Sequence, residues 1–158
     1  MMKKKVALTL ALAALLSTQS QARIAIKKYK GDAVIVRQSN GKYSLIGTNH
    51  KPIITNAETI SKRDLGYFIV KKDLQTALIN REDKQVIPYG YDKITTTESP
   101  NLFIVKKQNQ YGIVDLQNKL RYGMTSNRIE DLEDHIDISD PTTGETIKKL
   151  DYQLREIK

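Results

Sequence analysis

The sequence predicts an all-β fold of about three stacked, three-stranded β-meander repeats, forming an open solenoid-like stack or a curved sheet, with a C-terminal capping hairpin. The first observation is an internal repeat: residues 67–72 recur 35 residues later as residues 102–107, with the same Phe-Ile-Val-Lys-Lys core. A fixed period of this length is typical of proteins that stack one small unit. The second observation is the alternation of short runs of Val, Ile, Tyr and Phe with Asn, Gly, Asp and Pro, which indicates strands and tight turns.

The first 22 residues predict a secretory signal peptide. Three lysines at positions 3–5 form its positive region, residues 6–16 form an apolar run, and Ser20-Gln21-Ala22 is a small-x-small cleavage site. The apolar run is shorter than the roughly 20 residues that span a bilayer, so we expect no transmembrane segment after leader removal. The chain has no cysteine for lipid attachment, disulfides or thiolate metal ligands. We therefore expect a periplasmic or secreted protein.

Residues 23–128 are predicted to hold the repeats. The weakest copy comes first, with strands at residues 33–38, 43–46 and 51–54 and one residue inserted in its first turn, around Asn40-Gly41. Residues 67–94 and 102–129 are the clearer copies. Their identical pairs are Phe68/Phe103, Ile69/Ile104, Val70/Val105, Lys71/Lys106, Lys72/Lys107, Gln75/Gln110, Lys84/Lys119 and Ile94/Ile129.

Each clear copy divides into strands and polar turns. In the last copy, residues 102–105 and 111–116 are the strands, with a polar turn between them. In the preceding copy, residues 85–87 lead into Pro88, which cannot donate a ladder hydrogen bond and so is expected at a strand start or a sheet edge. The predicted repeat core consists of Phe68, Val70, Phe103, Val105, Tyr111 and Gly112.

Residues 129–158 are predicted to form an acidic C-terminal cap. Asn127 followed by Glu130 matches a helix N-cap pattern, which favours one short helix over residues 128–134. The repeat register favours the alternative, in which Arg128 and Ile129 are strand positions equivalent to Lys93 and Ile94. Beyond this point, residues 136–138, a turn at 140–144 and residues 145–150 predict a hairpin.

Charge is distributed unevenly along the chain. The formal net charge is +8, or +5 without the three leader lysines; residues 23–128 hold 19 basic and 9 acidic residues, and residues 129–147 hold 0 and 7. One interpretation is that exposed lysines protect strand edges from aggregation. The other is a basic face for an anionic envelope polymer, built from Lys71, Lys72, Lys106 and Lys107. Nucleic acid is not the expected partner.

Two segments carry a recognisable pattern. Residues 106–115 hold a basic pair and a short turn followed by Tyr-Gly, two apolar residues and Asp, and residues 87–94 hold Ile-Pro followed by Tyr-Asp and an aliphatic residue. The two segments resemble the WG (Trp-Gly) repeat family, whose core has Trp-Gly at the place of Tyr-Gly and whose other signature is Ile-Pro followed by Tyr-Asp. Tyr43-Ser44, Thr76-Ala77 and Tyr111-Gly112 stand where the family has Trp-Gly. The resemblance implies a β-rich, often exported bacterial repeat protein with no common enzymatic activity.

Catalytic patterns are not found in the sequence. His50 and His135 have no partner at metal-ligand spacing, and no Gly-x-Ser-x-Gly, Gly-rich phosphate loop or His-Glu-x-x-His occurs. The acidic cluster after residue 129 lacks the spacing of a calcium loop. We therefore expect a non-enzymatic protein without cofactor or metal, which binds a protein or an anionic envelope polymer. The alternative is an inhibitor or immunity-type protein acting on a secreted enzyme or toxin.

Overall fold

The structure, a computed structural model, describes residues 33–82 and 84–158. The predicted signal peptide at residues 1–22 lies outside the described residues. Within them are fifteen strands and one short 3-10 helix, Asp64–Gly66. The strands are β1 (Val34–Arg37), β2 (Tyr43–Ile46), β3 (Pro52–Ala57), β4 (Thr59–Lys62), β5 (Tyr67–Lys72), β6 (Gln75–Asn80), β7 (Gln85–Tyr91), β8 (Lys93–Thr96), β9 (Leu102–Lys107), β10 (Gln110–Asp115), β11 (Leu120–Thr125), β12 (Arg128–Asp131), β13 (Ile136–Ser139), β14 (Thr146–Leu150) and β15 (Glu156–Ile157).

The chain divides into two compact units, residues 1–56 and residues 57–158. The described part of the first unit is the antiparallel sheet β1-β2-β3. Val36 pairs with Ser44, and the N–H of Gln38 donates to the carbonyl of Lys42 at 2.7 Å. The turn between Gln38 and Lys42 has three residues where later copies have two, so the predicted insertion around Gly41 is confirmed; the left-handed φ of +81° at this glycine suits the longer turn.

The described part of the second unit contains three antiparallel sheets of four strands each, β4-β5-β6-β7, β8-β9-β10-β11 and β12-β13-β14-β15. The predicted all-β fold of meander repeats is confirmed, and the two clear copies each have one strand more than expected. The extra strand precedes the Phe-Ile-Val segment: Ile60 pairs with Val70, and Ile94 pairs with Val105. Pairing passes to the next copy at Asp92, whose N–H donates to the carbonyl of Lys106 at 2.8 Å. Pro88 lies on the edge strand β7, as predicted.

The two faces of each sheet pack on different neighbours. One cluster joins the first two four-stranded sheets and consists of Ile69, Leu78, Ile87, Ile94, Phe103, Val105 and Val114. A second cluster joins the last two and consists of Leu102, Ile104, Ile113, Ile129, Ile136, Ile138 and Leu150. Phe103 and Ile104 are adjacent in sequence but face opposite sheets, since strand side chains alternate. The continuous apolar run of β9 is therefore the signature of a strand that is buried on both faces.

The tail from residue 128 is a further four-stranded sheet. The predicted helix over residues 128–134 is wrong, because β12 occupies Arg128–Asp131 and Ile129 pairs with Ile138 in the adjacent strand β13. Burial of Ile129 between the sheets outweighs a local N-cap pattern, since most helix stability in proteins comes from tertiary packing. The predicted C-terminal hairpin is confirmed as β13 and β14, closed by a turn in which Asp140 Oδ1 accepts the N–H groups of Thr142 and Thr143.

The outer face of this last sheet is polar. Asp137 occupies the register position of Ile69 and Ile104, and its cross-strand neighbours are Glu130 and Lys149. In the two preceding copies this position carries an isoleucine that packs on a neighbouring sheet. A polar outer face of this kind is typical of the terminal capping unit of a repeat stack.

Candidate functional site

Two hairpin turns carry the lysines singled out by the repeat. Asp73-Leu74 joins β5 to β6 and Gln108-Asn109 joins β9 to β10, and all four turn residues have φ between +48° and +65°. Positive φ at both central residues defines the tight turn that matches the twist of paired strands. Lys71-Lys72 and Lys106-Lys107 are the last residues of the strands that enter these turns.

Asp92 forms hydrogen bonds with residues at both turns. The hydroxyl of Thr76, just after the first turn, donates to the carbonyl of Asp92 at 3.0 Å. The N–H of Gln108, in the second turn, donates to the Asp92 carboxylate at 2.8 Å. Because these bonds hold the two turns at one edge of the stacked sheets, we call the region formed by residues 71–76 and 106–110 the hairpin-tip edge.

The four predicted lysines therefore lie at one edge, in equivalent positions of successive sheets. Lys71, Lys72 and Lys106 are half-buried and Lys107 is exposed. Adjacent lysines leave opposite faces of their sheet because side chains alternate along a strand. Lys106 Nζ lies 5.3 Å from the centre of the Tyr111 ring, in cation–π range. Within the described residues, none of the four forms an ion pair.

Lys93 is a further cation that the sequence did not assign to this site. It pairs with Lys106 across β8 and β9. It also lines an open groove of about 390 Å³, whose other linings include Tyr111, Arg128 and Glu130. The spacing of 35 residues between Lys93 and Arg128 was the available signal.

Carboxylates lie at the same edge and shape its electrostatics. Glu58 Oε1 accepts the N–H of Asp73 at 3.3 Å, in the same way that Asp92 accepts the N–H of Gln108. Burial raises the pKa of Tyr89, and the nearby charges of Asp73 and Glu58 raise it further. The phenol is therefore a neutral group at physiological pH.

The residues in the Trp-Gly positions have packing roles. Tyr111 of β10 is half-buried and pairs with Thr125 of β11. In the preceding sheet the same pair of residue types occurs with the strands reversed, since Thr76 lies on β6 and Tyr91 on β7. Gly112 is buried, and a Cβ placed on it would lie only 2.6 Å from the sulfur of Met124. The equivalent residue Ala77 is fully buried.

Asn80 and Asp115, which follow the Trp-Gly positions of the two clear copies, cap the next turn, and Asp151 does the same in the tail. The side-chain oxygens of Asn80, Asp115 and Asp151 each accept two backbone N–H groups, from the second and fourth residues that follow, at 2.8–3.0 Å. Asp151 shows that the tail repeats the same unit, which the sequence comparison missed. The signal was its spacing of 36 residues from Asp115, close to the 35 between Asn80 and Asp115.

Burial by itself would raise the pKa of Asp115. The N–H groups of Lys119 and Gln117 and the guanidinium of Arg121, 3.3 Å away, outweigh this effect and hold the pKa below its ordinary value. Asp115 is therefore a charged, structural carboxylate.

Neither histidine belongs to the hairpin-tip edge. His50 is exposed in the turn before β3, and His135 is half-buried with its Nδ1 against the carboxylate of Asp134. In the described residues, no three His, Cys, Asp or Glu side chains are grouped closely enough to hold a metal ion. The same part of the chain contains no helix of the length and apolarity needed to cross a membrane.

Comparison with known proteins adds no assignment: no protein-family model, curated protein or solved structure matches this chain significantly.

Proposed function

We propose that this protein is a non-catalytic binding protein of the bacterial envelope whose hairpin-tip edge holds an anionic polymer. The observation that carries the proposal is the recurrence of the same lysine pair at equivalent positions of two sheets, at one edge of the stack. Within the described residues these lysines form no ion pair. The predicted leader and the resemblance to WG repeats support an envelope location.

Repetition suits a polymer better than a small ligand. Face-to-face sheets lie roughly 10 Å apart, so each added unit repeats its cations at a spacing comparable to that of charged groups along a polymer. Each lysine contributes a modest attraction in water, and the total grows with the number of groups engaged. Such binding weakens steeply as salt rises, because condensed counterions are released from the polymer.

Binding to lipopolysaccharide, heparin and DNA across a salt series tests the proposal. The purified full chain is compared with a variant in which Lys71, Lys72, Lys106 and Lys107 are all changed to Gln. We expect the variant to lose binding at low salt and to show a shallower dependence of log affinity on log salt, by roughly 3 for a flexible polyanion.

A charge-matched control is available in the same repeat. Lys84 and Lys119 are also separated by 35 residues, are exposed, and lie in the β6–β7 and β10–β11 turns at the opposite end of the strands. Changing these two to Gln alters charge as much as changing Lys72 and Lys107 together. If both double variants weaken binding equally, net charge explains the affinity and the hairpin-tip edge is not the site.

A further inference from the structure

Three side chains form a row across the sheet β8-β9-β10-β11. Lys106 of β9 is the register partner of Lys93 on β8 and of Tyr111 on β10. Residues directly opposite each other in antiparallel strands present their side chains on the same face, with Cβ atoms roughly 5 Å apart. Ile104, two residues before Lys106, packs in the cluster that joins the last two sheets. The row therefore faces the last sheet, and its three members line the groove of about 390 Å³ described above.

The pair formed by Lys93 and Lys106 places like charges directly opposite each other, which destabilises a sheet. In the other two four-stranded sheets, a cation at this register position has a hydroxyl residue opposite it, in the pairs Thr59/Lys71 and Arg128/Ser139. Proteins break such local rules mainly at functional sites, where another gain compensates. A like-charge pair in one sheet, at the floor of a groove, therefore indicates an anionic occupant.

In the part of the chain that the structure describes, no carboxylate forms an ion pair with either lysine. Lys106 Nζ lies 5.3 Å from the centre of the Tyr111 ring, which orients the ammonium but leaves its charge in place. The acidic pair of the last sheet differs, because Glu130 is opposite Asp137 and Asp137 also has Lys149 beside it. The lysine pair lacks such a counter-charge across the strand.

Two carboxylates line the β12 side of the groove, and both are engaged by other groups. Glu130 pairs with the guanidinium of Arg128. Asp131 Oδ1 accepts the hydroxyl of Tyr152 and its Oδ2 accepts the N–H of Glu98, each at 2.7 Å. Their charge repels an anion from the β12 side, so an anionic group is directed to the lysine side of the groove.

We infer that the pair Lys93 and Lys106 binds a phosphate monoester carried by the anionic polymer, an inference that rests on the proposed function and names the acidic group. A phosphate monoester carries a charge of about −1.5 to −2 at pH 7, which offsets two ammonium groups, whereas a sulfate ester or a carboxylate carries one charge. Lysine binds phosphate as a compact point charge, while paired recognition of a carboxylate favours arginine. The arginine of this groove, Arg128, is already held by Glu130.

Lys93→Thr removes the pair and introduces the residue that stands at the equivalent position 59. It leaves Lys106 and the other lysines of the hairpin-tip edge unchanged. In phosphate-free buffer of low salt, the melting temperature of the variant should stay level or rise by up to about 5 °C, because a repulsion is removed. A lower melting temperature would contradict the repulsion and overturn the inference.

The charge-matched control is Lys119→Thr. Lys119 is exposed in the β10–β11 turn, at the end of β10 opposite to the hairpin-tip edge, and does not line this groove. The loss of binding caused by Lys119→Thr therefore measures the effect of removing one positive charge from the protein.

The probes are dextran phosphate, dextran sulfate and carboxymethyl-dextran with equal numbers of acidic groups, so that one backbone carries three kinds of anion. We expect the full wild-type chain to bind dextran phosphate most tightly. Lys93→Thr should weaken binding of dextran phosphate about tenfold, the equivalent of one hydrogen bond to a charged group. Binding of the other two polymers should fall no more than it does for Lys119→Thr.

A variant with Lys71, Lys72 and Lys107 changed to Gln separates this inference from the proposed function. If this variant loses binding to all three polymers while Lys93→Thr behaves like Lys119→Thr, the hairpin-tip edge is supported and the phosphate site is overturned. If the three-lysine variant binds like wild type while Lys93→Thr loses the preference for phosphate, the phosphate site is supported and the proposed edge is wrong. Equal wild-type binding of the three polymers would overturn the phosphate assignment, and no binding to any of them would overturn both proposals.

Discussion

Replacing Gly112 by Ala tests whether close packing, rather than backbone conformation, requires glycine in the last Tyr-Gly pair. The new Cβ would lie 2.6 Å from Met124 Sδ, 3.2 Å from Leu120 Cδ1 and 3.2 Å from the carbonyl oxygen of Tyr122. Met124 packs against the cluster between the first two four-stranded sheets. The carbonyl belongs to β11, which is paired with β10. Relief therefore requires both a side chain and a strand to shift.

Overpacking of a buried site costs about 1–3 kcal/mol. For a unit the size of residues 57–158, we expect a fall in melting temperature of roughly 5–15 °C. The measurement is thermal unfolding followed by circular dichroism. The reverse substitution at the equivalent position of the preceding sheet, Ala77→Gly, should also destabilise the protein. Ala77 is fully buried, and the change removes its methyl group from the core.

A double variant identifies the clashing partner. Met124→Ala should make Gly112→Ala less costly, so that the combined loss is about 1 kcal/mol smaller than the sum of the single losses. A Gly112→Ala protein that melts at the wild-type temperature would refute the packing argument. Strict additivity with Met124→Ala would show that the sulfur is not the obstacle.

Two further predictions concern turns. Leu74 is 78% exposed and has a φ of +65°, a backbone conformation that is costly for leucine. Leu74→Asn, which introduces the residue found at the equivalent position 109, should raise the unfolding free energy by about 1 kcal/mol in urea titrations. An unchanged unfolding free energy would argue against backbone strain at this turn. Because the pKa of Asp115 is lowered in the folded state, its contribution to stability is present above its ordinary value of 3.8 and is lost as pH falls through the folded value. Below about pH 4 the melting temperature should therefore fall less steeply with pH for Asp115→Asn than for wild type. The Asn amide oxygen can still accept the N–H groups of the turn, as that of Asn80 does. Parallel plots of melting temperature against pH would show that Asp115 does not contribute to acid destabilisation.

The repeat period predicted the strands well because each copy carries its own pattern. Phe68 and Phe103 are buried at equivalent register positions, and their neighbours Ile69 and Ile104 are buried as well, which follows from an apolar run too short for a helix. The tail was harder to predict, because Asn127 and Glu130 match a helix-cap pattern while the repeat register makes the same segment a strand. Only the pairing of Ile129 with Ile138 distinguishes the two.

The candidate site was predicted in part. The lysine pairs were visible in the sequence because they repeat with the core. Lys93 was not assigned, since the sequence placed it at the end of the copy spanning residues 67–94, whereas it pairs with Lys106 of the next copy.

By itself the sequence determined local properties: a β-rich chain, its repeat unit, the buried side chains and the charge carried at each turn. These follow from the alternation of side chains along a strand and from the φ preferences of turn residues, which involve only near neighbours. The tertiary structure alone decided that the two clear copies and the tail each form a four-stranded sheet, and that two turns lie at one edge through the hydrogen bonds of Asp92. Such features depend on hydrogen bonds and packing between residues distant in sequence, whose free energy no local pattern contains.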